Sequence, residues 1–177
     1  MIYVQDDYAI HNIAKNTFCE FITIELWKQG LKGQGTTTGV GKVMSRARDY
    51  EHDFMKPHIS IIDFAKFTRG ANGMLLGTPE LVVEVLGNNR EKDLDLKKRI
   101  YAEIGGHEYW IVDLDASSIT RLILKDGEYS DEKIIYNDGG SIRHSCRLEL
   151  NVGEVFTEID KIMNSMKSVA KDFEEVE

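Results

Sequence analysis

A lysine and a glutamate stand where apolar side chains belong, and together they could do hydrolytic chemistry. Lys97 falls on the apolar arc of a helix that the pattern predicts over 89–104. Glu84 interrupts the run Leu81-Val82-Val83-Glu84-Val85-Leu86. A charge in a core segment is costly unless it is paired or bound. Two opposite charges, close in sequence and both displaced into buried patterns, point to a site. A carboxylate that holds a metal and a lysine that polarises a water are the equipment of metal-assisted hydrolysis.

The elements around the pair must bring it together. At 100° per residue, Leu94, Leu96, Ile100, Tyr101 and Ile104 share one side of the helix, and Lys97 lies between Ile104 and Tyr101. Asp93 lies on the same arc, four residues before Lys97. Asn88-Asn89-Arg90-Glu91 reads as a capping box, and Gly105-Gly106 ends the helix. On the helix alone two readings stand level: an Asp93–Lys97 salt bridge that supports the helix, or a functional lysine. The strand context favours the second. Residues 81–86 and 109–114 read as buried strands flanking the helix, a right-handed βαβ unit. Ligands of open α/β sheets collect near the carboxyl ends of strands, where Glu84 lies.

Taken together, three stretches resemble a known family. They are Thr78-Pro79-Glu80-Leu81-Val82-Val83-Glu84-Val85-Leu86, then Asp93-Leu94-Asp95-Leu96-Lys97 with Tyr101-Ala102 and Gly105, then Glu108-Tyr109-Trp110-Ile111-Val112-Asp113. They are similar to the Uma-type family of restriction-endonuclease-like proteins, within the PD-(D/E)XK nuclease superfamily. The similarity is dense over 57–114 and extends to His11 and to Leu148-Glu149-Leu150 with Phe156. It implies an α/β fold with a restriction-endonuclease-like core: a central mixed sheet flanked by helices, with added antiparallel strands. It implies a metal-dependent DNA endonuclease, with DNA as partner and Mg²⁺ or Mn²⁺ as cofactor. Glu84 is then a catalytic residue and metal ligand. Lys97 is the catalytic lysine, moved to the helix from the usual place two residues after the glutamate, which here is Leu86. Asp93 and Tyr101 are supporting residues, and the Val85 carbonyl is a further oxygen at the metal.

One position departs from the family pattern. The first acid of the superfamily falls on His58, in Lys56-Pro57-His58. Imidazole suits transition metals and Mg²⁺ prefers oxygen. His58 is thus either a replacement metal ligand that favours Mn²⁺ or the mark of an inactive site. In the second case the chain serves as a dimeric interaction or nucleic-acid-binding module. Asp53, Asp63, Glu20 and Glu25 are acids that could stand in for the missing carboxylate.

The bulk properties fit one domain over 1–177, long enough for a sizeable core, and the resemblance implies that it is nuclease-like. A net charge of −8 is unexpected for a nucleic-acid binder, which normally shows a basic face. Two local basic clusters exist, Lys42-Arg46-Arg48 and Arg90-Lys92-Lys97-Lys98-Arg99, and each alone reads as ordinary solvated surface. Cys19 and Cys146 form no C-x-x-C pair, which fits a reducing compartment and no zinc site. With no signal peptide or spanning apolar segment, a cytoplasmic protein with no membrane partner is expected.

Along the chain, residues 7–29 read as an amphipathic helix and 30–41 as a loop. Strands are expected at 42–48, 58–64, 119–124 and 132–136, with Asp126-Gly127 as a hairpin turn and 70–77 as a loop. A second capping box, Asn151 to Glu154, opens a C-terminal amphipathic helix over 154–175. Its stripe of Val155, Ile159, Ile162, Met163, Met166, Ala170 and Phe173 packs in the core or forms a homodimer contact.

Overall fold

In a computed structural model, the described residues are 7–31, 34–37, 43–44, 57–69, 75–87, 92–145 and 147–174. Six strands lie side by side in chain order: β1 (Gln34–Thr37), β3 (Ile59–Asp63), β6 (Leu81–Val85), β7 (Glu108–Asp113), β8 (Ser118–Lys125) and β9 (Glu128–Tyr136). β6 and β7 are parallel and every other neighbouring pair is antiparallel. A parallel pair needs a crossover. It is supplied by a π-helical segment, Lys92–Lys97, that runs into α2 (Lys98–Glu103). Two longer helices, α1 (Asp7–Lys28) and α3 (Val152–Glu174), complete the layers. The added strands are β2 (Val43–Met44), β4 (Thr68–Arg69) and β5 (Leu75–Leu76) in a small sheet, and the antiparallel pair β10 (Ser141–Arg143) and β11 (Glu149–Asn151). The architecture is a central mixed sheet flanked by helices, as the resemblance implies.

The unbroken burial of β6 follows from its place between two layers. Leu81, Val83 and Val85 face α1 and α3, with Phe18, Ile22, Trp110, Phe156 and Ile159 around them. Val82 and Leu86 face α2, with Tyr101, Tyr109, Ile111 and Leu122. Strand side chains alternate between faces, so Glu84 shares the α2 face. The α3 stripe through Val155, Ile159 and Met163 is spent inside this core. Its cap is as expected: the Glu154 N–H donates to Asn151 Oδ1 at 3.1 Å, and Asn151 Nδ2 donates back to Glu154 Oε1 at 3.1 Å. Asp126 and Gly127 both take positive φ, 50° and 85°, as a tight two-residue hairpin turn requires. Among the described residues no helix is long and apolar enough to cross a membrane.

Three local expectations differ from the structure, one being the 70–77 loop, in which Leu75–Leu76 form strand β5 beside β2 and β4. Part of the 30–41 stretch is strand β1, pairing along β3 from Gln34↔Asp63 to Thr37↔Ser60. Its polar, glycine-containing sequence carries no strand pattern, so pairing with β3 supplies what propensity does not. The crossover begins as a π turn, so the 100° wheel does not apply before Lys97. The capping stretch Asn88–Glu91, most of Lys42–Arg48, Asp53, Cys146 and the side chains of Asp93, Ala170 and Phe173 lie outside the described residues.

The α1/α3 face holds a second buried charge, Glu108. Arg121 Nε donates to its Oε1 at 2.7 Å and Trp110 Nε1 at 2.6 Å, and the Ser145 N–H donates to Oε2 at 3.1 Å. His144 Nε2 stands 3.6 Å from Oε2 and 3.2 Å from the Glu80 carbonyl. Both neighbours are acceptors, so Nε2 carries the hydrogen. Burial would raise the Glu108 carboxyl; Arg121, His144, Trp110 and Ser145 outweigh it and hold the group below its ordinary value of 4.5. Burial in turn pushes the His144 imidazole down, with Glu108 opposing.

Glu108→Gln keeps the shape and removes the charge that these donors surround. Urea unfolding should show a loss of about 3 kcal/mol, the lower end for breaking a buried pair, because Arg121 is one-fifth exposed. A loss under about 1 kcal/mol would mean that the charge contributes little to the fold.

Candidate active site

Register alone sets the first contact of the site. β3 and β6 are antiparallel with Ile59 opposite Val83. Continuing the ladder by one residue puts His58 opposite Glu84, on the same face. His58 Nδ1 lies 2.8 Å from Glu84 Oε2 and accepts the Val85 N–H at 3.0 Å. One ring nitrogen therefore stands between a donor and an acceptor. With its lone pair it takes the Val85 N–H; with a proton it bonds Glu84. The His11 ring, from α1, sits edge-on to His58 with centroids 4.6 Å apart.

The crossover supplies the other two contacts. Lys97 ends the π segment, and its Nζ donates to Glu84 Oε2 at 2.8 Å. Tyr101, one turn on in α2, donates its hydroxyl to Oε1 at 2.8 Å. Gly105, at φ +80°, ends the helix and lets the chain turn back into β7. Glu84 has no exposed surface, while Lys97 and His58 keep 12% and 21% of theirs. The carboxylate is sealed, and its two nitrogen partners face outward.

The electrostatics follow from this packing. Burial would raise the Glu84 carboxyl, but His58 and Lys97 together outweigh it and hold the group below its ordinary value of 4.5. Burial, with the neighbouring Glu84 charge, pushes the Tyr101 hydroxyl well up. Tyr101 therefore stays protonated and remains a hydrogen-bond donor.

Of the residues singled out in the sequence, Glu84, Lys97, His58 and Tyr101 meet at one point. The Lys97 amine reaches Glu84 across the crossover, and the side chain of Asp93 lies outside the described residues. The stand-in acids lead elsewhere: Asp63 accepts the Ala65 N–H in its own turn at 3.0 Å, and Glu25 pairs with Lys28 at 2.6 Å. Glu20 is exposed. Sequence reasoning missed the Glu108 network; its one local signal is the i,i+2 spacing of Glu108 and Trp110, which puts both on one strand face.

A family model described as a putative restriction endonuclease, Uma2, matches residues 13–152. The chain belongs to the Uma2 family. The comparison with curated proteins found no match. The crystal structure of a putative nuclease from Anabaena variabilis is similar to this Uma2 chain, with a TM-score of 0.65 at 12% identity, covering 85% of this chain and 82% of that one. At that identity the likeness shows the shared fold.

The depressed Glu84 carboxyl sets a sign for acid stability. Its contribution is present above the ordinary carboxylate value and is lost as pH falls through the lowered folded value. Lys97→Met should raise the Glu84 carboxyl in a carbon-detected NMR titration, because burial then has less opposition. A double-mutant cycle of Lys97→Met with Glu84→Gln should show coupling of about 1 kcal/mol or more. Additive melts would mean that the pair is not coupled.

Proposed function

We propose that this chain is a divalent-metal-dependent endonuclease that hydrolyses phosphodiester bonds in DNA. The observation that supports it is the meeting of His58, Lys97 and Tyr101 on one buried carboxylate at the carboxyl end of β6, in a chain of a nuclease family. The donor set is compatible with a cation once His58 Nδ1 gives up the Val85 N–H and Lys97 yields its place on Glu84 Oε2. His58 Nδ1 and Glu84 Oε2 are 2.8 Å apart, near the roughly 3 Å expected between neighbouring ligands about 2.1 Å from one ion. Among the described residues no group of three or more His, Cys, Asp or Glu side chains could hold an ion. His58 and Glu84 would therefore hold it with water and substrate oxygens, a common arrangement for such ions at phosphates.

When bound, the cation supplies Lewis-acid charge at the scissile phosphate. Lys97 keeps Glu84 ionised and opposes the negative charge that builds on the phosphate oxygens. Tyr101 fixes the second carboxylate oxygen, so Glu84 presents one defined edge. Water adds to phosphorus, one P–O ester bond breaks, the water gives up a proton and the departing oxygen gains one.

A second reading draws on the closure of Glu84. Its carboxylate is wholly buried and engaged by three side chains, and the chain carries a charge of −8. The closure suits a nuclease fold that binds nucleic acid without cutting it, and the charge favours the other use of such a fold, as a dimeric interaction module. Plasmid nicking separates the two. Cleavage should be faster with Mn²⁺ than with Mg²⁺, because imidazole replaces a carboxylate. Glu84→Gln and Lys97→Met should each lower it by about 10²-fold or more. His58→Asp should raise the Mg²⁺-dependent rate. Inactivity of wild type and His58→Asp alike in both metals, with DNA still bound, would decide for the second reading.

A further inference from the structure

The face of the main sheet opposite Glu84 carries a cavity of about 210 Å³ between β8, β9 and the β10–β11 hairpin. Arg121, Lys133 and Arg143 line it with Ser141, over the buried Ile135 and Ile142. We propose that this cavity binds a free phosphate-class oxyanion.

Register supplies the main argument. Arg121 and Lys133 are direct cross-strand partners, so two like charges project side by side from one face. Such a pair is destabilising in a sheet unless it is neutralised, and Glu108 offsets only Arg121. Arg121 cannot swing away, because the fully buried Glu108 holds its Nε at 2.7 Å and its Nη2 at 3.4 Å. Arg143 is exposed and pairs by Nε and Nη2 with Glu149 Oε2 at 3.0 and 2.9 Å. Among the described residues, with Glu149 also lining the cavity and Glu108 behind Arg121, the three cations keep one positive charge in excess, in a chain of charge −8.

Size and chemistry narrow the ligand. Guanidinium groups match oxyanions with directed N–H donors, and a lysine adds a point charge. The cavity is smaller than the roughly 300 Å³ at which sites for drug-sized ligands begin. It suits phosphate or pyrophosphate. It also lies behind the sheet from Glu84, away from any strand engaged there.

Thermal melts and calorimetry of the full chain test this, with inorganic phosphate and pyrophosphate against sodium chloride at matched ionic strength. Phosphate should raise Tm saturably and chloride should not. Lys133→Gln should show two opposite effects: an unliganded Tm equal to or above wild type, and phosphate affinity at least tenfold weaker, the loss of a charged hydrogen bond. Arg143→Gln should weaken phosphate similarly, and Lys161→Gln, on α3, should not. Arg121 is left in place because Glu108 depends on it. The proposal fails if phosphate acts no differently from chloride, if Lys133→Gln binds phosphate like wild type, or if that variant melts lower without ligand. Displacement of bound phosphate by a DNA oligonucleotide would also overturn it, assigning the cavity to the nucleic-acid backbone.

Discussion

An ionised carboxylate without access to water is the constraint on which the centre of this fold depends. Glu84 lies in the middle layer of a sheet covered on both faces, where an unmatched charge would be prohibitive. Its partners come from three separate places: the residue before β3, the end of the π segment and the first turn of α2. Each must be in phase for the carboxylate to be tolerated. A one-residue slip of β3 would bring Pro57 or Ile59 to Glu84 and turn the imidazole to the other face. The β3–β6 register and the phase of the crossover are therefore tied to one side chain.

The two buried glutamates show how different surroundings separate structure from chemistry. Glu108 is ringed by Arg121, Trp110, His144 and the Ser145 N–H, on the face covered by α1 and α3. Such a set, with a backbone donor and an indole, has little freedom to exchange partners. Glu84 is bonded by three side chains, and the two nitrogen partners retain some exposure. Both carboxyls are held below the usual range against the pull of burial. At Glu84 both nitrogen side chains keep some exposure; at Glu108 Trp110 and His144 are buried and Arg121 alone of the side-chain partners reaches the surface. This asymmetry, not burial itself, makes Glu84 the candidate for chemistry.

The likeness to a nuclease at 12% identity shows how little of the chain the fold requires. Continuous burial on β6 and β7 and an amphipathic α3 are satisfied by many sequences. The polar constellation is less permissive, because each member is matched to a partner by distance. The His58 imidazole spans the gap from the entry of β3 to Glu84 and so sets the charge and the ligand chemistry at that contact. The acidic surface changes what a partner meets, but not the fold, because solvated charges contribute little to it.

Much of the architecture was legible in the residues. The β6–crossover–β7 unit, the Asp126-Gly127 hairpin, the Asn151–Glu154 cap and the α3 stripe all rest on interactions between near neighbours, which leave periodic or positional marks. Glu84 and Lys97 were conspicuous for the same reason: a charge in an apolar pattern is visible without knowing its partner. On the helix alone Asp93 and a functional role stood level for Lys97, and it was the strand context that pointed to Glu84, which the amine reaches across the crossover. Strand β1 went unread because Gln-Gly-Thr-Thr is strand only through pairing with β3. The Glu108 network joins groups up to 37 residues apart in sequence and left almost no local trace. Sequence by itself determined which side chains needed burial or a counter-charge, since that follows from their own chemistry. Which groups met that need was decided by strand register and helix phase, and these exist only once the layers have packed.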